Sequence, residues 1–346
     1  MFRPAPGCDR MLAMRVFFLA ILFAALLPAA KTFDVYSIDV EGGQSTLMVS
    51  PSGQTMLVDT GWAGFDNRDA NRIAAAAKLA GVTQIDYLVI THFHADHVGG
   101  VPQLIAKLPV KHFVDHGPNN ETGAAPDALY AAYKAAMGSA DHIVVKPGDK
   151  IPVKGLDVIV VSANGELIKT PLKGGGEKNP LCGQDARRPE DKSENGRSTG
   201  TMITFGKFRM IDLGDLTWNK EQDLVCPVNL LGTVDVYLTT HHGMNMSGSA
   251  TIVHALKPRV AIMNNGATKG ASKPAWEVVH NSPGLLDLWQ LHFAVAGGAD
   301  HNTAEQFIAN PDEANDQGNY LKLSAQSNGT FTVSNPRNNV SKTYKR

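Results

Sequence analysis

Residues 91–100, Thr-His-Phe-His-Ala-Asp-His-Val-Gly-Gly, constrain this chain more than any other stretch. They follow 85–90 (Ile-Asp-Tyr-Leu-Val-Ile), whose β-branched and apolar content reads as a buried strand, so the loop opens where a strand ends. Three histidines and one aspartate fall within six residues. His92 and His94, one residue apart, reach a single cation from a turning backbone, while Asp96 and His97 address a second cation beside it. Imidazole with carboxylate suits zinc, and also iron or manganese. Four such groups in one loop after a strand are too many for an ordinary polar turn.

The remainder of the chain supplies a frame for that loop. Strands at 33–40, 45–50 and 55–59 form an antiparallel meander with turns at Glu41-Gly42-Gly43 and Pro51-Ser52-Gly53. The meander ends at Asp59, which reads either as a turn residue or as a hydrogen-bond acceptor beneath the histidine loop. An alanine-rich helix at 69–79 stops at Gly81. After the loop come a helix at 99–108, a strand at 111–116, a helix at 127–137 and strands within 142–161. His116, followed by Gly117-Pro118-Asn119-Asn120, is expected near a pocket. Residues 163–197 break the rhythm with Gly174-Gly175-Gly176, prolines and mixed charges, as a surface excursion or lid. Strands at 201–205 and 208–213 lead to Gly214-Asp215, and after a helix at 218–225 a strand at 234–240 ends in His241-His242-Gly243. A helix at 250–256, a strand at 259–264, a helix at 274–281 and a strand at 288–296 follow. His301-Asn302 opens a short helix to 309, and a hairpin at 320–325 and 330–334 closes the chain. Strands alternating with helices predict a layered α/β architecture.

Residues 1–30 are set apart from that frame. Arg10, Met11, Met14 and Arg15 precede an apolar run at 16–27 and then Pro28-Ala29-Ala30, the pattern of a secretory signal. The run is shorter than the roughly 20 residues that span a bilayer. An uncleaved anchor is the alternative, and Met11 or Met14 are alternative starts. Residues 1–30 hold three basic and one acidic side chain, so the expected mature part, 31–346, carries 29 basic against 32 acidic and does not favour nucleic acid as partner. A small-molecule or envelope-derived substrate is expected, with no membrane span after cleavage and a secreted or periplasmic location. Cys8 lies upstream, which leaves Cys182 and Cys226 either as a disulfide or as two thiols.

The His92 loop, Asp215 and His241-His242 each stand at a predicted strand end, and strand ends converge on one rim of a sheet. Together with Leu57-Val58-Asp59-Thr60-Gly61 and the His-x-His-x-Asp-His signature, they resemble the metallo-β-lactamase superfamily. Residues 38–45 (Ile-Asp-Val-Glu-Gly-Gly-Gln-Ser), Leu213-Gly214-Asp215 and His241-His242-Gly243 look most like the ComEC-type hydrolase domain and the phosphorylcholine esterase branch. The resemblance implies an αββα sandwich of two mixed sheets flanked by helices. It also implies two metal ions, zinc with iron or manganese as alternatives. His92 and His94 would hold the first, Asp96 and His97 the second, and Asp215 would bridge them. His241 would complete the second site, leaving His242 to touch substrate or donate a proton, with Asp96 orienting a metal-bound hydroxide. The family's further histidine before the bridging aspartate is missing, and Asn195 and Ser198 stand there as candidate substrate contacts, with His116 and His301 beside them. The implied activity is hydrolysis of a phosphoester. β-Lactam or lactone hydrolysis and a non-catalytic metal-binding role are the alternatives.

Overall fold

A computed structural model describes residues 1–3 and 31–346; the charged and apolar parts of the expected signal, with Cys8, lie outside the described residues. The first sheet begins with β1 (Phe33–Ser37), β2 (Thr46–Val49), β3 (Thr55–Val58), β4 (Ile85–Val89), β5 (Val110–Asp115) and β6 (Asp141–Val144). The chain then crosses to the second sheet: β7 (Lys150–Ile151), β8 (Asp157–Ala163), β9 (Glu166–Leu167), β10 (Gly200–Phe205), β11 (Phe208–Asp212), β12 (Val236–Leu238), β13 (Val260–Met263), β14 (Asp287–His292) and β15 (Ile308–Asn310). It returns to the first sheet as β16 (Leu321–Ala325), β17 (Phe331–Asn335) and β18 (Val340–Tyr344). The orders are β18-β17-β16-β1-β2-β3-β4-β5-β6 and β15-β14-β13-β12-β11-β10-β8-β7, with β9 on β8.

Alternating side chains on these strands build three apolar layers. Between the sheets, Phe33, Val35, Met56 and Val89 meet Val160, Ile203, Met210, Ile262 and Trp289. On the outer face of the first sheet, Tyr36, Leu57 and Leu88 pack against helices α1 (Arg68–Leu79), α2 (Ala95–Val98), α3 (Val101–Ile105) and α4 (Ala124–Met137) through Ile73, Val98, Leu104 and Tyr133. On the outer face of the second, Ile211, Tyr237 and Met263 pack against α5 (Trp218–Val225), α6 (Ala250–Leu256) and α7 (Lys273–His280) through Leu224, Ile252 and Trp276. This is the αββα sandwich, with both sheets mixed.

Three sequence expectations change. The helix from His301 to 309 is instead a short 3₁₀ turn, Glu305–Phe307, followed by β15, because Ile308 and Ala309 are buried in parallel pairing beside β14. The expected helix at 99–108 shrinks to α3, and α2 forms instead within the expected histidine loop; the two are separated at Gly99-Gly100, where a Cβ on Gly100 would run into the Thr60 carbonyl. A third strand, β18, extends the terminal hairpin; its mostly exposed residues, with Tyr344 alone buried, hide the pattern. Residues 163–197 are largely irregular, and Cys182 is bonded to Cys226 just past α5. Among the described residues, no helix is long and apolar enough to cross a membrane.

Trp289 is fully buried between the sheets, packs on Phe307 and donates its indole N–H to the Tyr344 hydroxyl (3.0 Å). Trp289→Ala should therefore cost about 3–5 kcal/mol in urea unfolding, with metal stoichiometry unchanged.

Candidate metal centre

The parallel strands β4, β11 and β12 end on one rim, and the chemistry-bearing residues follow each of them. Asp59, just past β3, adopts a left-handed conformation (φ 59°) and faces the histidine loop. Its Oδ1 accepts from the Thr91 amide (2.8 Å); its Oδ2 accepts from the Thr91 hydroxyl and from His97 Nδ1 (2.7 Å each). With the Nδ1 hydrogen committed, His97 presents its Nε2 lone pair to the interior, 3.2 Å from Asp215 Oδ2 and 3.3 Å from Asp96 Oδ2.

The same reasoning assigns the other rings. The Thr91 hydroxyl spends its hydrogen on Asp59 and accepts from His92 Nδ1 (3.1 Å), which frees His92 Nε2. His94 donates from Nε2 to Glu121 Oε1 (3.1 Å), which leaves Nδ1 as its coordinating atom. Glu121 also accepts from the Glu194 amide (3.1 Å). The buried Glu194 carboxylate in turn accepts from the amides of Phe93 (3.2 Å) and Asn120 (2.7 Å) and pairs with His116 Nε2 (2.9 Å). The end of the 163–197 segment is thus a brace behind the loop.

His241 and His242 both have positive φ (54° and 55°), so adjacent rings approach the centre on different sides of Asp215. His242 Nε2 lies 3.2 Å from Asp96 Oδ2 and 3.4 Å from Asp215 Oδ1. His241 Nε2 lies 3.3 Å from Asp215 Oδ2, an oxygen 4.0 Å from His92 Nε2. Ser247 donates to the Leu216 carbonyl (2.7 Å) and so accepts from His241 Nδ1 (3.3 Å), again freeing Nε2. One ligand atom from each of Asp96, His97, Asp215 and His242 lies within 4.8 Å of the others. The histidine that joins Asp96 and His97 is therefore His242, where the sequence favoured His241.

Burial penalises every charge here, yet the His97 and His242 rings outweigh it at Asp96, and His242, His97 and His241 do so at Asp215, holding both carboxyls well below their ordinary range. Reciprocally, Asp215, Asp96 and Asp59 overcome the burial of His97 and hold its imidazole well above the usual value. His92, buried and beside His97, is pushed down. Buried carboxylates and imidazoles thus compensate one another across the centre. The Nε2 atoms of His92, His97 and His242 and Oδ1 of Asp215 are buried without a hydrogen-bond partner among the described residues. Unpartnered polar atoms cost roughly 1–3 kcal/mol each, and a divalent cation satisfies all of them, so the donor set fits metal.

Other expected contacts stand elsewhere. Ser198 is fully buried behind the centre and accepts from the Asp215 amide (3.2 Å), so it positions the aspartate and does not face a substrate. His116 is buried against Glu194 and Phe93. His301 pairs with Glu277 (2.8 Å) beside Trp276, away from the centre's own ligand atoms. Asn195 is buried next to this brace, its side-chain oxygen unpartnered among the described residues. Glu121, Glu194 and Lys269, whose ammonium contacts Asp96 Oδ2, carry no pattern in the sequence that marks them.

A mixed αββα sandwich with an imidazole–carboxylate centre at its strand ends defines a metallo-hydrolase type of fold. Residues 38–176 match the family described as the metallo-beta-lactamase superfamily, and the chain carries a domain of that superfamily. It is 24% identical over 309 residues to ComE operon protein 3 of Bacillus subtilis, covering 84% of this chain and 34% of that protein. It is 23% identical over 261 residues to competence protein ComA of Neisseria gonorrhoeae, covering 75% and 31%. The chain thus spans about a third of the length of either relative. A 64-residue stretch is 34% identical to a ribonuclease Z of Alkaliphilus oremlandii, covering 18% of each chain.

Glu221 on α5 supports the loop that carries Ser247: its Oε2 accepts from the Gly248 amide (2.6 Å), and burial pushes its carboxyl up to about 8. The folded protein then keeps this proton while the unfolded chain, at about 4.5, loses it, so stability falls as pH rises from about 4.5 to about 8. Glu221→Gln should flatten that slope by an amount on the order of a few kcal/mol, read as the difference between urea midpoints at pH 5 and pH 8 with metal saturating.

Proposed function

We infer that this protein is an exported hydrolase that uses two metal ions to cleave a phosphoester. The observation that carries the reading is the convergence of bare, buried Nε2 atoms from His92, His97 and His242 on Asp96 and Asp215. We assign His92, His94 and His241 to the first ion, Asp96, His97 and His242 to the second, and Asp215 to both. His241 then takes the place of the family's missing histidine, and both expected roles of His242 pass to ligation. Two divalent ions so held would lower the pKa of a water and neutralise charge on a phosphoryl oxygen and its leaving group. The protein's own contribution is orientation. Asp59 fixes His97, Thr91 fixes His92, Glu121 fixes His94, Ser247 fixes His241 and Ser198 fixes the backbone of Asp215.

The phosphoester is supported by resemblance to a branch that acts on such substrates and by the short match to a ribonuclease, an enzyme of phosphodiester bonds. Export is supported by the charged, apolar and small-residue regions of 1–30. A soluble, envelope-derived substrate suits the negative balance of the remaining chain better than nucleic acid does.

Elemental analysis after zinc saturation should give two metals per chain, with about one retained in His241→Ala and less in Asp215→Ala. Asp59→Asn should weaken metal binding roughly 10–100-fold. Zinc-loaded protein should turn over bis(p-nitrophenyl) phosphate, and chelation or His92→Ala should abolish it. A preference for nitrocefin or a lactone by about tenfold, or ~1.4 kcal/mol in the barrier, would overturn the phosphoester reading.

A further inference from the structure

We propose that Lys269 anchors the anionic group of the substrate and that the same ammonium competes with the second metal ion for Asp96. Lys269 lies in the loop after β13, and its backbone is held on both sides. The Gly266 amide donates to the Lys269 carbonyl (2.8 Å), and the Ala271 amide donates to the His242 carbonyl (2.9 Å). A Cβ on Gly42 would run into the Lys269 side chain, and one on Gly270 (φ 86°) into His242, so the loop packs tightly against two neighbouring segments. This is a fixed lysine whose side chain is directed at the metal centre.

Its Nζ contacts Asp96 Oδ2, the oxygen that also faces His97 Nε2 (3.3 Å) and His242 Nε2 (3.2 Å). The ammonium also lies over the Trp62 ring, 5.0 Å from its centroid, and the side chain is 30% exposed. Trp62 is tied down through its amide to Asp69 (2.7 Å). An ammonium and a divalent cation that seek one carboxylate oxygen repel each other strongly at contact distance. A cation among Asp96, His97, Asp215 and His242 would therefore push the ammonium off Asp96 and leave it on the electron-rich face of Trp62, which it already overlies. The result is a positive charge at the mouth, beside the ions, that has lost its carboxylate. An oxygen of an anionic substrate, a phosphoryl oxygen on the reading above, replaces that partner. Metal retention and anion binding are coupled through one side chain.

The phosphoryl identity rests on the proposed function; the competition for Asp96 does not, and the test separates the two. Zinc affinity is measured by competition with a chromophoric chelator, and binding of inorganic phosphate to the zinc-loaded protein by calorimetry. Lys269→Met should hold the second zinc about tenfold more tightly and bind phosphate about tenfold more weakly. Lys269→Arg keeps the charge and should stay near wild type in phosphate binding, which controls for misfolding together with near-UV circular dichroism. Unchanged zinc affinity in folded Lys269→Met, or phosphate binding that survives in it, overturns the proposal. Failure of the wild-type protein to hydrolyse any phosphodiester would overturn the phosphoester reading, while the zinc and phosphate measurements still decide the role of Lys269.

Discussion

The three hydrogen bonds that Asp59 accepts from Thr91 and His97 are the constraint on which the centre depends. They join the end of β3 to the loop after β4, set the hydrogen of His97 on Nδ1 and leave the Thr91 hydroxyl able only to accept from His92. One carboxylate thereby fixes two rings in the coordinating tautomer. Because Asp59 and both rings are fully buried, these bonds work without competition from water. Its left-handed backbone is retained because the surrounding bonds over-determine it.

The sandwich does what a single sheet edge could not. The first sheet brings the His92 loop, and the second brings Asp215 and the His241-His242 pair, so the ligand set exists only when both sheets are packed face to face. The inter-sheet core of Phe33, Met56, Val89, Met210, Ile262 and Trp289 is therefore also what holds the centre together. The strand ends carry polar groups outward from that core, and the apolar layer beneath excludes water from their rear.

Elements with strong periodicity were legible from the chain alone: α5 and α6 match their expected spans, and β4, β10, β11 and β13 lie within a residue or two of theirs. The His92 loop, Asp215 and the His241-His242 pair were legible because each follows an apolar run. What was not legible depends on distant partners. Glu121 and Glu194 stand 27 and 100 residues beyond His94, and no local spacing links them to it. His116 reads as a pocket residue from the turn that follows it, but Glu194 claims its ring. Spacing also could not separate His241 from His242; that depends on two left-handed residues in succession. β15 was hidden because Ile308 and Ala309 suit a helix as well as a strand until β14 is placed beside them.

The return of the chain to its first sheet bears on the timing of assembly. β1 pairs on one side with β2, its sequence neighbour, and on the other with β16, where Phe33 sits opposite Ala325. A chain emerging from its N-terminus can close the local pairs early, but one edge of β1 stays open until the last few dozen residues arrive. Such non-local closure is slow, and an unpaired strand edge invites association with other chains. A polypeptide built this way completes its first sheet only after β16 has been made, so the free edge of β1 waits for a partner nearly three hundred residues further on.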